Sequence, residues 1–232
     1  MGKKHLLMAA AAGAMTLGVA SAQAADVEPV AAPAEWYVSL FGGASFLEDV
    51  STEYDNDGPE TYDIDAQTDV GFIIGGAIGT HLTEDLRVEL EVAYSENDVD
   101  GIHYSGPKGS GSYDGEGSFG ILTFMGNLWY DAPLDMELKP YIGGGLGVAI
   151  VDADSVGYAN PDFEEYDSSE VAFAFQVGAG LRWMMSDNIT LDVGYRLRGI
   201  DGPTFESGED GDDNDADLIL SHNIIAGVTV GF

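Results

Sequence analysis

Arg87, Glu89 and Glu91 occupy every second position of R-V-E-L-E, and Asp192, Arg196 and Arg198 keep even spacing in D-V-G-Y-R-L-R. On an extended strand, even spacing puts side chains on one face. Arg182, in G-L-R-W, is the remaining arginine; the chain has four in all. Guanidinium and carboxylate groups gathered away from water form charge-assisted pairs, because an unpaired charge there is costly. Two uses of such a set are open. It can be a permanent network of ion pairs that plugs an interior, or a gate whose pairs exchange partners and open a narrow ion path. Spacing alone does not say which arginine meets which acid.

Other chemistry is thinner. G-E-D-G-D-D-N-D-A-D holds Asp210, Asp212, Asp213, Asp215 and Asp217, oxygen ligands of the kind calcium takes. The run lacks the Gly after the third ligand and the closing Glu of the twelve-residue calcium loop, so a solvated anionic surface is the competing reading. Y-D-N-D-G-P-E (54–60) is incomplete in the same way. Ser221 and His222 are adjacent and point to opposite faces of a strand. His103 and Ser105 share a face, but no carboxylate is placed to orient them, and His81 falls at a turn. G-G-G-L-G (143–147) would need a following helix to cradle phosphate, and none is signalled. No catalytic set, cofactor motif or resident metal site is expected.

The elements that must position these residues are strands. Apolar residues recur at every second position in eight segments, roughly 35–46, 68–81, 85–95, 117–130, 137–151, 170–184, 188–200 and 218–232. In V-A-F-A-F-Q-V-G-A-G-L-R-W, Val171, Phe173, Phe175, Val177, Leu181 and Trp183 oppose Ala172, Ala174, Gln176, Gly178, Gly180 and Arg182. The connections alternate between long loops (48–69, 96–116, 152–170, 201–217) and the short turns T-E-D, D-A-P-L-D-M and S-D-N. An even strand number with long loops at one end and short turns at the other predicts an all-β, eight-stranded antiparallel transmembrane barrel, with short periplasmic turns and long extracellular loops. Trp36, Trp129 and Trp183 fall near the turn end, where an aromatic girdle would sit. Closure pairs the first strand, W-Y-V-S-L-F-G-G, with the last, I-I-A-G-V-T-V-G-F. Gly75, Gly79, Gly143, Gly145, Gly147, Gly178 and Gly180 share the inward parity, where a narrow barrel holding arginines needs room.

Composition agrees with export. Lys3, Lys4, an apolar run from Leu6 to Ala20 and small residues at Ala22 and Ala24 read as a signal peptide over 1–24, too short to anchor in a bilayer. A lead of 25–34 and a barrel over 35–232 follow. Cleavage moves the formal charge from −33 to −35, and the absence of cysteine means that no disulfide holds the fold. Of 41 acids, 29 lie in the four loops, with Lys108 as their only base, so nucleic acid is excluded as a partner.

With D-L-R-V-E-L-E-V-A-Y, M-G-N-L-W-Y-D, P-Y-I-G-G-G-L-G and the terminal aromatic strand, the chain resembles the small outer-membrane β-barrel family. That family includes the transmembrane domain of OmpA and small porin-family proteins of alphaproteobacteria. The resemblance spans the mature chain and implies an outer-membrane location and a role for Phe232 as recognition signal for the barrel-assembly machinery. The chain stops at the barrel, where OmpA continues into a peptidoglycan-binding domain. The expectation is a monomer, not an enzyme, that supports envelope integrity with its lumen plugged. It would contact outer-membrane lipid and lipopolysaccharide, with divalent cations bridging the phosphates. The alternatives are a small cation-favouring pore and an adhesin or receptor acting through its loops.

Overall fold

The computed structural model describes residues 36–56, 60–134, 136–158, 168–202, 204–207, 212–215 and 218–232. The leader (1–24) and lead segment (25–34) lie outside them. Twelve strands are described: β1 (Trp36–Leu47), β2 (Val50–Asn56), β3 (Glu60–Thr68), β4 (Gly71–His81), β5 (Leu86–Gly106), β6 (Gly109–Asp131), β7 (Leu138–Tyr158), β8 (Ser168–Met184), β9 (Ile189–Ile200), β10 (Thr204–Ser207), β11 (Asp212–Asp215) and β12 (Ile219–Gly231). Eight form a closed antiparallel ring in the order β1, β4, β5, β6, β7, β8, β9, β12 and back to β1. The last residue is tied to the first strand, since the Phe232 amide donates to the Trp36 carbonyl at 2.9 Å. The chain end is thus paired at the closing seam, where Ser39 and Thr229 also join hydroxyls at 2.7 Å inside.

The register fixes the geometry. A walk from partner to partner runs Tyr37, Gly79, Glu89, Asn127, Gly145, Gln176, Arg198, Ser221 and returns to β1 at Leu47, ten residues above its start. With about 3.3 Å of rise per residue and about 4.8 Å between strands, a stagger of ten over eight strands tilts them by about 40°. Every residue on that circuit points inward. The alternate positions point outward and form an apolar belt, such as Leu90, Val92, Leu128, Ile142, Leu146, Phe173, Val177, Val193 and Ile224.

The loops expected at 48–69 and 96–116 are largely strand. A polar alternation carries no hydrophobic signal, so the sequence pattern ends where the belt ends while the backbone ladder continues. β5 and β6 run on as one hairpin to a turn at Pro107–Lys108, followed by Gly109 at φ +136°, a conformation glycine accepts without a Cβ clash. The β2–β3 hairpin pairs with the outer half of β5. Register shifts at Gln67/Thr68, Asp98/Gly101 and Glu116/Ser118, the last at Gly117 with φ +111°, mark where strands leave the belt.

The interior has two storeys. Toward the turns it is polar and aromatic. Toward the loops Leu47, Val99, Phe119, Ile121, Met125, Val151, Ile200 and Ile219 form an apolar core, which Val50, Ala66 and Ile102 carry beyond the ring.

Candidate functional site in the lumen

All four arginines point into the lumen, where β5, β8 and β9 present them to acids on β5, β6 and β9. In the lower cluster Arg87 holds Asp131 through Nε (2.7 Å) and Nη2 (3.2 Å), and Glu89 through Nη1 (2.7 Å). Arg182 Nη1 reaches the same Asp131 at 3.0 Å. Glu89 also accepts from the Tyr37 hydroxyl (2.9 Å) and the Trp129 indole (2.8 Å). Two cations thus meet two anions, with every charge also hydrogen-bonded.

The upper cluster centres on Glu91, whose side chain is fully enclosed. Its Oε1 accepts from Arg198 Nη2 at 2.6 Å, and its Oε2 from Arg196 and from Asn127 Nδ2 (3.0 Å). Gln176 closes the circuit, donating to Asn127 Oδ1 (2.6 Å) and accepting from Arg198 Nε (3.1 Å). Arg196 lies between the rings of Phe41 and Trp129, at 4.7 and 5.2 Å from their centroids, a cation–π arrangement. Asp192 lines the space between the clusters, beside Arg182 and Arg196. The lumen therefore balances Arg87, Arg182, Arg196 and Arg198 against Glu89, Glu91, Asp131 and Asp192. The space left among them is about 20 Å³, room for a single water.

Trp129 corrects the girdle expected from sequence. It is 1% exposed and points inward, whereas Trp36 and Trp183 are each 46% exposed on the belt at the turn end. The neighbouring outward aromatic is Tyr130. In N-L-W-Y-D either aromatic suits a rim, and only the parity of Asn127 and Thr123 separates them. Asp131, which the sequence reading leaves in a turn, is the acid that two arginines share. Its signal was the same odd-numbered parity continued one step.

Some inward glycines make room for aromatic rings, while Gly143 and Gly147 let a neighbouring strand's carbonyl approach to where a Cβ would stand. A Cβ on Gly79 would stand 2.5 Å from the Tyr37 ring, one on Gly75 2.5 Å from Phe41, and one on Gly180 2.6 Å from Tyr141. On Gly178 it would meet the Tyr195 carbonyl oxygen at 2.8 Å and Arg196 Cγ at 3.1 Å.

The Ser and His residues do not assemble as a catalytic pair. His103 Nδ1 meets Ser112 Oγ across the outer hairpin at 2.9 Å, not Ser105, and Ser221 turns inward to Asn223. His222 faces out between the Tyr195 hydroxyl (2.6 Å) and Glu48 (2.8 Å), while His81 lies 5.3 Å from the Tyr37 ring. Asp210 and Asp217 lie outside the described residues; Asp212, Asp213 and Asp215 lie on β11, with only their backbone described. Among the described residues no group of three or more acids or histidines is placed to hold a metal ion.

A ring closed on itself, greasy outside and ion-paired inside, with short turns at one end, defines an outer-membrane β-barrel. The chain belongs to the outer membrane protein β-barrel domain family, whose model matches residues 10–232. It is 27% identical over 222 residues to an uncharacterized protein of Brucella abortus, covering 79% of this chain and 78% of that one. To an outer membrane protein of Gluconacetobacter diazotrophicus it is 26% identical over 208 residues, 82% of this chain and 53% of that one. Neisserial surface protein A shares the fold with a TM-score of 0.52 at 21% identity, over 85% of this chain and 97% of that one. The outer membrane protein AlkL does so at 0.50 and 14%, over 91% and 97%. The protein is located in the outer membrane, so the turns face the periplasm and the extended hairpins face outward.

Proposed function

We propose that this protein is a non-conducting structural barrel that supports the integrity of the outer membrane. The lumen carries the reading: four arginines face Glu89, Glu91 and Asp131 in two clusters with Asp192 between them, and a largely apolar storey, holding few polar side chains such as Asn97, lies above. An ion path would have to break buried pairs and then cross that apolar storey, and each step is costly. This favours a plug over a cation-favouring pore. No enzymatic activity is assigned.

The barrel acts as a monomer. Its partners are outer-membrane lipid and lipopolysaccharide, reached through divalent cations because exposed carboxylates above the belt, Glu48, Asp98 and Asp152 among them, cannot hold phosphate directly. Phe232 serves as the signal to the barrel-assembly machinery, as a 73% exposed terminal residue on the seam permits. In a strain lacking the protein, leakage of a periplasmic marker under mild detergent should rise and be restored by wild type. Unchanged leakage would refute the envelope role.

A second reading, surface attachment, draws support from the β2, β3, β5 and β6 sheet. Its apolar core, with Val50, Ala66 and Ile102, holds it as a platform beyond the membrane. Deleting residues 50–66 should then abolish binding of whole cells to a host surface while leaving the barrel folded.

A further inference from the structure

The outward face of the ring is not evenly filled. Across β5, β6, β7 and β8 it holds a wide, open depression of about 700 Å³, floored by Gly126 and Gly144 and walled by Val88, Leu128, Leu146 and Phe175. The rows Leu128↔Gly144 and Gly126↔Leu146 set each glycine beside a leucine, so the hollow runs obliquely between two ridges. The two glycines are there for different reasons. A Cβ on Gly144 would stand 2.6 Å from the Gln176 carbonyl oxygen, so close strand approach requires glycine. A Cβ on Gly126 meets only the Leu146 oxygen at 3.8 Å, which is ordinary contact. Packing does not demand glycine at 126, and the space its missing side chain leaves is open.

We infer that this hollow holds one acyl chain of an outer-membrane lipid as a bound, stoichiometric ligand. The depression lies within the apolar belt above the Trp183 rim, so hydrocarbon is what surrounds it. Its lining is mostly apolar, with Asn127 and Gln176 the polar residues at its floor, and none of the four arginines faces outward, so recognition rests on shape toward a chain, not on charge toward a headgroup. A second copy of the barrel fits poorly. A two-fold contact through this patch would set hollow against hollow and leave a void whose lining atoms lose their partners. A flexible chain can follow the oblique trough and fill it. The inference stands whether or not the lumen conducts.

The test uses the full mature barrel extracted from outer membranes in mild detergent, its folding checked by heat-modifiable gel mobility and its retained lipids counted by native mass spectrometry. Gly126→Leu fills the trough. Leu146→Ala removes a wall and adds nothing, which guards against a Gly126→Leu protein that fails to fold. Gly42→Leu adds the same bulk on β1, where a Cβ has its nearest neighbour at 3.5 Å. Wild type and Gly42→Leu should each carry one lipid. Gly126→Leu and Leu146→Ala should retain it on the order of tenfold less, the effect of about two methylenes left unburied. Equal retention in all four proteins would overturn the inference, as would a lipid-free wild-type dimer that Gly126→Leu dissociates.

Discussion

Replacing Glu91 with Gln keeps the shape of the side chain and removes its charge. In the folded barrel that leaves Arg196 and Arg198, both buried, facing a neutral amide in place of the carboxylate that accepts from each. Breaking a buried ion pair from one side costs about 3–5 kcal/mol, because the abandoned charge stays desolvated. Here two guanidiniums are abandoned. Arg198 retains Gln176 and Thr123, and Arg196 retains the Phe41 and Trp129 rings, so the loss is held near the single-pair figure. At a denaturant slope of about 2 kcal/mol per molar urea, a loss of about 4 kcal/mol moves the unfolding midpoint down by about 2 M. The assay is reversible urea unfolding in lipid vesicles, followed by tryptophan fluorescence. Asp98→Asn, at an exposed outward position, is the control and should shift stability by no more than about 0.5 kcal/mol. If Glu91→Gln changed stability as little as the control, the clusters would be hydrated and exchangeable, and the reasoning that makes them a plug would fail.

Other consequences follow from single contacts. Brominated lipids should quench the fluorescence of Trp36 and Trp183 in single-tryptophan variants and leave Trp129 unquenched; quenching of Trp129 would return it to the rim. Trp129→Phe leaves Glu89 short of one buried donor and should cost about 1–3 kcal/mol, measured in the same urea titration. Val193→Arg on the belt should cost about 2–4 kcal/mol near the bilayer midplane, read as reduced folding into vesicles. Deleting Phe232 should lower the amount of barrel assembled in cells while purified protein still refolds in vitro; equal losses in both would assign Phe232 to stability, not signalling.

The ring was legible in sequence because lipid and lumen impose opposite polarity on alternate positions. Val171 to Trp183 shows both faces, and an Arg or Gln among small residues marks the inside. The pairing of first and last strands followed from the need to leave no edge in lipid. Three features escaped. Trp129 could be read either way because its neighbour Tyr130 satisfies the rim equally well. Asp131 looked like part of a turn because the strand's apolar face ends before it. The outer half of β5 buries Val99 and Ile102 on one face, but the register shift at Asp98/Gly101 breaks the two-residue period there, so the ladder left no hydrophobic period, and only G-P-K-G, with Gly109 at positive φ, punctuated the hairpin. Which acid each arginine meets depends on a stagger of ten, a property of closure that no local pattern carries.

The most direct test of the plug is single-channel recording of the refolded mature chain in a planar bilayer, with Glu91→Ala and Arg198→Ala recorded beside it. The matched charges and the apolar storey above them predict a silent bilayer for wild type with folded protein present. They predict silence for both variants too, since the apolar layer remains. Steady cation-selective openings in wild type, altered by either substitution, would contradict the account and make the inner charges a gate.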